Sequence, residues 1–526
     1  MISPAEKRCQ EPFSSRRRGV SAGQDAKMVP GAFFRPTLAG LIVYALALPA
    51  GAQTVWELTP YRIQVILALG EAPELTPDFQ AELAQSLYGR VDSLIGAAWD
   101  VRVTEPGAAL RYALVRDVET VTVELVEAGL SHKEATASAE GTSSSEAPSS
   151  EEATSPAEAP FHLDDLDKVI LLVVLPGPAG YRVVARELDV RTRQWNTPVS
   201  VPVWHDAKLR DAAFAAMRRA FAPLAHVVAV EKSDVTLRLR AAGFPLRDET
   251  IVMVRPGDVF RPVVRHNDRY GKLSGVLAIE WTFLTVEDVA QAGLACKLHT
   301  GLRSPLSGRR RGRYEQLALA VAPPGKPTRL TLQSRTEPHD PLIGYDVYSH
   351  PPDSKKTDLV GRTDRLGSVL VPPADNPLRV LLVKNGSEFL ARLPMVPGME
   401  AEVVADVRND DQRLEAEGFI SGLQEELIDL VTRCEVLKAQ FQARFEEKKY
   451  DEAEKLIRQL RALETRDDFA LHLAQEQKKV FSADKLSQAK IDQMFSKTRK
   501  LVNTYLDPAV IDQLDRQLRE ARANRL

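Results

Sequence analysis

The chain has 526 residues, of which 44% are hydrophobic and 27% charged, and a formal net charge of −3. That length exceeds what one hydrophobic core can organise, so three or four domains of roughly 100–150 residues are expected. A balance this close to neutral lacks the basic excess of a nucleic-acid binder, and no nucleic-acid partner is expected.

The first 52 residues read as a targeting segment. Arg16, Arg17, Arg18, Lys27 and Arg35 precede an apolar run over residues 38–48, and Pro49-Ala50-Gly51-Ala52 supplies an A-x-A site. Basic, apolar and small-residue regions in that order form a secretory signal, so export with cleavage near Ala52 is expected. The run falls short of the about 20 apolar residues that span a bilayer, so the mature chain is expected to have no stable transmembrane span. An uncleaved anchor is the alternative, and Met28 offers a second start within the long basic region.

Residues 53–242 read as one α+β module. A β-rich run at 61–69 leads to a helix capped by Thr76, with Pro77 at its first position and an apolar stripe at Phe79, Leu83, Leu87, Val91 and Leu94. A strand is expected at 99–104. Residues 131–160, rich in Ser, Glu, Ala, Thr and Pro, cannot bury enough surface to order themselves and read as a disordered acidic insertion. Beyond it come a hairpin (169–175 with 181–188), a helix at 206–225, and last strands at 227–230 and 235–239. This element order resembles the TolB N-terminal domain and the CsgG- or LpoB-like envelope proteins, which implies an α/β sandwich.

Residues 243–325 are β-rich with frequent turns and read as a small SH3-like barrel, with the strongest strand at 276–286. Residues 326–408 form a second β module. Its turn Thr363-Asp364-Arg365-Leu366-Gly367 and its Asn385-Gly386 hairpin signal resemble the carboxypeptidase regulatory-like, or transthyretin-like, β-sandwich, and that resemblance implies a structural role for the turn. Residues 409–526 are helical and highly charged. Ile420, Leu423, Leu427, Leu430, Cys434, Leu437 and Phe441 alternate by three and four, as in a coiled-coil or helical-hairpin seam. Further helices are expected from about 448, from about 483, and from Pro508 with Asp507 as cap. The expected class is multidomain α+β, and the whole chain resembles long exported proteins of planctomycete-type bacteria.

Chemistry-bearing motifs are sparse. No H-E-x-x-H, G-x-S-x-G or G-x-G-x-x-G occurs, and His162-x-Asp164-Asp165-x-Asp167 reads as a solvated acidic boundary. No cofactor, metal or catalytic residue is assigned. Cys296 and Cys434 would remain after cleavage; a disulfide is open, but their different segments favour two buried free thiols. The one stretch above background is the Gly/Ser/Pro loop at 301–313 carrying Arg303, Arg309, Arg310, Arg311 and Arg313. Guanidinium forks bind carboxylate and phosphate, while a charged loop can equally protect a sheet edge. The expectation is a non-enzymatic envelope scaffold, with a protein partner or self-association through the tail. The alternatives are a binding module for an anionic glycan, lipid headgroup or acidic protein through that loop, and a hydrolase with an unrecognised site.

Overall fold

The computed structural model describes residues 55–130, 163–290, 293–303, 305–306, 313–322 and 325–523. The expected signal and acidic insertion lie outside the described residues, and Gln53–Leu526 forms one compact unit.

The first module is a mixed sheet. β1 (Tyr61–Leu69) runs parallel to β2 (Trp99–Thr104) and to β3 (Lys168–Gly177). β3 returns antiparallel into β4 (Gly180–Asp189), which pairs with both β5 (Gln194–Trp195) and β6 (Val199–Val203). On one face lie α1 (Pro77–Arg90) and α4 (Leu209–Ala220); on the other lie α2 (Ala108–Arg116) and α3 (residues 123–130). The central strands are therefore covered twice. Ile63, Val65 and Leu67 face α1 and α4, whereas Ile66 and Ala68 face α2. Burial on both faces is why residues 65–69 and 169–175 of these strands read as continuous apolar runs. Thr76 caps α1 as expected, its hydroxyl accepting from the Phe79 N–H at 3.2 Å.

The second module corrects the sequence reading in three places. First, residues 227–230 and 235–239 do not finish the first sheet. They belong to β7 (Leu224–Glu231) and β8 (Asp234–Leu239), which join β9 (Val259–Asn267), β11 (Thr282–Ala290), β12 (Gly293–Thr300) and β13 (Tyr314–Val321). The hydrogen-bonded circuit β9-β11-β12-β8-β7-β13-β9 closes a six-stranded barrel. Second, the helix expected to reach residue 225 stops at Ala220, because Pro223 cannot continue it and β7 begins at once. Third, the strand expected at 276–286 is two. β10 (Leu273–Ala278) and β11 both pair with β9, and residues 279–281 between them absorb the bend, with Trp281 at φ 49°.

The third module encloses one core between two sheets, β17-β14-β20 and β16-β15-β18-β19. Their strands are β14 (Thr328–Ser334), β15 (Asp346–His350), β16 (Asp358–Arg362), β17 (Ser368–Val371), β18 (Arg379–Asn385), β19 (Glu388–Met395) and β20 (Glu402–Val407). β14 and β20, the first and last, lie side by side in parallel. The Thr363–Gly367 turn carries the chain from one sheet to the other. Asp364 accepts from the backbone N–H groups of Leu366 and Ser368, both at 2.9 Å, and Gly367 has φ +70°.

In the tail, α5 (Asp411–Glu446) is followed by α6 (Tyr450–Arg461), α7 (Arg466–Lys479), α8 (Lys485–Tyr505) and α9 (Pro508–Ala523). The heptad seam of α5 closes internally. Ile420 to Leu430 pack with Phe469, Leu473, Ile491 and Phe495, and Phe441 packs with Ile457 and Leu518. The structure thus takes the helical-hairpin alternative, and the seam is not an open coiled-coil face. α7 was not anticipated, although Thr465 and Asp468 form its capping box.

Polar joints tie the modules together. Lys168 is wholly buried, its Nζ within 2.7 Å of both Glu187 and Asp189 and donating to the Ala222 carbonyl at 2.6 Å. The Tyr61 hydroxyl meets the Leu224 backbone, accepting from its N–H at 3.0 Å. Arg240 reaches from the barrel to Asp167 at 2.6 Å. The barrel meets the third module through Val259, Phe283, Leu378 and Val396, and through Arg261 with Glu400 at 2.9 Å. At the tail, Arg413 donates to Asp410 at 2.6 Å and to the Asn385 carbonyl at 3.0 Å, while the Asp410 N–H donates to the Tyr345 hydroxyl at 2.9 Å.

Candidate anion-binding face of the barrel

At one end of the barrel Tyr314 lies opposite His266, and their rings stack with centroids 4.5 Å apart. The next backbone bond runs from the Asn267 N–H to the Arg313 carbonyl at 2.9 Å. The β9–β10 hairpin then turns over Asp268, whose carboxylate accepts from the N–H groups of Tyr270 and Lys272 at 2.8 and 2.9 Å. An Asp that bonds its own turn leaves the tip side chains pointing outward. Arg269 lies over the Tyr270 ring at 4.6 Å, and that ring is 76% exposed.

The arginine loop leaves β12 at Thr300, whose hydroxyl accepts from the Leu302 N–H at 3.0 Å. Leu306 drops into the barrel core, and its carbonyl accepts from Gln316 Nε2 at 3.3 Å. One apolar anchor thus seats a loop that is otherwise charged. Arg303 and Arg313 are exposed on either side of that anchor; Arg309, Arg310 and Arg311 lie outside the described residues. Arg313 adjoins the His266–Tyr314 stack. Strand register brings Tyr314 beside His266, a pairing no local motif announced, whereas Arg269 and Tyr270 sit on the β9–β10 hairpin, whose sequence signal is the Asn267-Asp268 and Gly271 turn.

The nearest carboxylate is already engaged. Glu315 accepts from Asn267 Nδ2 at 3.1 Å and sits 3.9 Å from Arg191, while Asn267 Oδ1 accepts from Arg265 Nε at 3.0 Å. Burial pulls the Arg265 guanidinium below its ordinary value against the pull of Glu315. The exposed cations Arg269, Lys272, Arg303 and Arg313 face outward with Asp268 as the turn's own acid. Guanidinium forks beside exposed aromatic faces can hold carboxylate or sulfate groups carried on rings.

Elsewhere the acidic boundary is solvated as expected at Asp164, which pairs with Arg193 at 2.8 Å, and at Asp165, both exposed. Asp167 departs from that reading, buried between Arg240 at 2.6 Å and Arg191 at 3.2 Å; His162 lies outside the described residues. Cys296 is buried and Cys434 half-buried, both as free thiols. Burial pushes the Cys296 thiol up to about 12 and raises that of Cys434, which suits neither for thiolate chemistry. Among the described residues no three His, Cys, Asp or Glu side chains converge as metal ligands, and no helix is long and apolar enough to cross a membrane.

No family model matches the chain, and no curated protein matches it in sequence. Among solved structures it is similar to TolB from Acinetobacter baumannii, at 10% identity and a TM-score of 0.15, over 66% of this chain and 96% of that one.

Proposed function

We propose that the protein is a non-enzymatic interaction scaffold of the cell envelope, exported after cleavage near Ala52, which holds the basic end of its barrel at a fixed place relative to its helical tail. The observation that carries this reading is the series of buried polar contacts between modules: Lys168 with the Ala222 carbonyl, Arg240 with Asp167, and Arg413 with the Asn385 carbonyl beside the Asp410 N–H on the Tyr345 hydroxyl. Such joints suit a protein whose modules must keep their spacing. Modules meant to act separately are usually joined by polar linkers. Internal closure of the α5 seam leaves the exposed tail residues Ile428, Val436 and Phe481 as the surface for a protein partner or a second copy.

Limited proteolysis of the full chain tests the scaffold. The expected result, apart from cleavage within the 131–160 insertion, is one protected body running from about residue 53 to the C-terminal helices, its two pieces staying together; separate resistant modules cut near residues 325 or 408 would sink it. Turnover of any substrate in broad esterase, phosphatase and glycosidase panels would transfer the case to the hydrolase alternative. A second reading, favoured by the exposed Arg303, Arg313 and Tyr270, makes the barrel end a binder of anionic glycan. Replacing Arg303, Arg309, Arg310, Arg311 and Arg313 together by Ala should lower the salt concentration at which the chain leaves a sulfated polysaccharide resin. Unchanged elution would remove that reading and leave the scaffold intact.

A further inference from the structure

At the edge of the first sheet, where β5 ends and β6 begins, lies a cleft of about 590 Å³, within the range of small-molecule sites. Arg116 lies in the last turn of α2 on one face of the sheet, and Arg219 in the last turn of α4 on the other. Arg182 stands on β4, and all three arginines are exposed and line the cleft. Lys326, from the link between β13 and β14, lines it as well. Leu114, Leu175, Val184 and Val199, buried or half-buried, form the apolar part of the lining, and their side chains offer no acceptor.

The two carboxylates of the cleft are already engaged. Asp117 accepts from the Glu119 N–H at 2.9 Å and so caps the single turn Val118–Thr120, and Glu119 pairs with Lys326 at 3.4 Å. Arg186 holds that turn from behind, donating to the Val118 and Glu119 carbonyls at 3.0 and 2.9 Å. The guanidinium groups of Arg116, Arg182 and Arg219, by contrast, make no hydrogen bond, ion pair or ring contact among the described residues. A cation in the last turn of a helix answers the helix dipole, which gives Arg116 and Arg219 a local reason to be there. Arg182, opposite Leu175 and Pro202 on a strand, has no such reason. Cations gathered from several elements around a concave surface focus a positive potential into it.

We infer that this cleft binds a small molecule carrying two or more phosphate groups, held between the guanidinium groups of Arg116, Arg182 and Arg219. Tetrahedral phosphate oxygens accept from several directions at once, which suits donors arriving from both faces of a sheet; a planar carboxylate accepts mainly in its own plane. The cleft shares no residue with the arginine loop at 301–313, and the inference stands whether or not that loop binds anything.

Calorimetric titration of the full chain with tripolyphosphate and with orthophosphate tests this. Tripolyphosphate should bind at least about tenfold more tightly than orthophosphate, because its further phosphates reach at least one more charged donor. Arg182→Gln should weaken tripolyphosphate about tenfold, and the triple variant Arg116→Gln, Arg182→Gln, Arg219→Gln should abolish binding. Since these side chains have no partner to lose, the triple variant should melt close to the wild-type temperature. Arg218→Gln, which removes a charge from the same turn of α4 outside the cleft, should leave the affinity unchanged. Replacing Arg303, Arg309, Arg310, Arg311 and Arg313 by Ala should also leave it unchanged. Absence of tripolyphosphate binding, undiminished binding by the folded triple variant, or loss of binding with the loop arginines each overturns the inference.

Discussion

Lys168 sets the terms for its neighbours. Burial alone would lower the pKa of its ammonium, but Asp189 and Glu187 outweigh that and hold it above its ordinary value. Lys168→Met should cost about 3–5 kcal/mol in urea unfolding, because two carboxylates then stay buried without their cation. Adding Glu187→Leu and Asp189→Leu to that variant should recover much of the loss. Two buried groups give opposite pH slopes. Burial pushes the Glu187 carboxyl up to about 7 against the pull of Lys168, from an ordinary value of 4.5. The fold therefore binds this proton better than the unfolded chain does. Its contribution is full below about 4.5 and declines as the pH rises through about 7. Burial, helped by Arg392, lowers His299 from 6.5 to about 4. That contribution is full above about 6.5 and is lost as the pH falls toward 4. In unfolding free energies measured from pH 4 to 8, Glu187→Gln should flatten the decline on the alkaline side. His299→Phe should flatten the decline on the acid side, since it also removes a buried Nε2 that has no partner among the described residues.

Elements with local signals were legible. β1, β2, α9 and the Asn385-Gly386 hairpin stand where periodicity and turn chemistry place them, because each is specified by residues within a few positions of one another. The Thr363–Gly367 turn belongs with these. Gly367 has φ +70°, and a Cβ there would stand 2.4 Å from the Leu332 carbonyl, which is backbone and cannot yield. Gly367→Ala should therefore lower stability by about 1–3 kcal/mol, whereas Arg365→Ala in the same exposed turn should leave it nearly unchanged; thermal unfolding of both variants separates the effects. What escaped the sequence depended on distant partners. β7 and β8 read like any other strands, and only pairing with β13 and β12, the nearer of which begins 54 residues beyond β8 in the chain, assigns them to the barrel. The kink at Trp281 was hidden inside a strand-like run, 276–286, whose Glu280 is its one charged residue. Of the arginine loop, charge was visible in advance, but neither its Leu306 anchor nor the ring stack beside Arg313 was.

At the scale of the whole molecule, the tail helices dock on the third module through buried atoms around Asp410 and Arg413, flanked by the pairs Ser387 with Glu417 and Glu388 with Lys490. Arg413→Ala would leave Asp410 buried beside Tyr345 without its cation. The expected outcome is earlier melting of the tail, visible as a helical transition separated from the loss of tertiary signal by circular dichroism; a single coincident transition at the wild-type temperature would contradict the docking role. The parallel pairing of β14 with β20 has a mechanical consequence. Force arriving from the barrel enters the third module at Thr328, and force from the tail enters at Val407, at opposite ends of two adjacent strands aligned from Arg329 with Glu402 to Ser334 with Val407. Tension along the chain loads all the bonds of that ladder at once, in shear, whereas a hairpin pulled from its open end parts one bond at a time. Stretched between its ends, the protein is clamped in its middle, and its outer parts yield first.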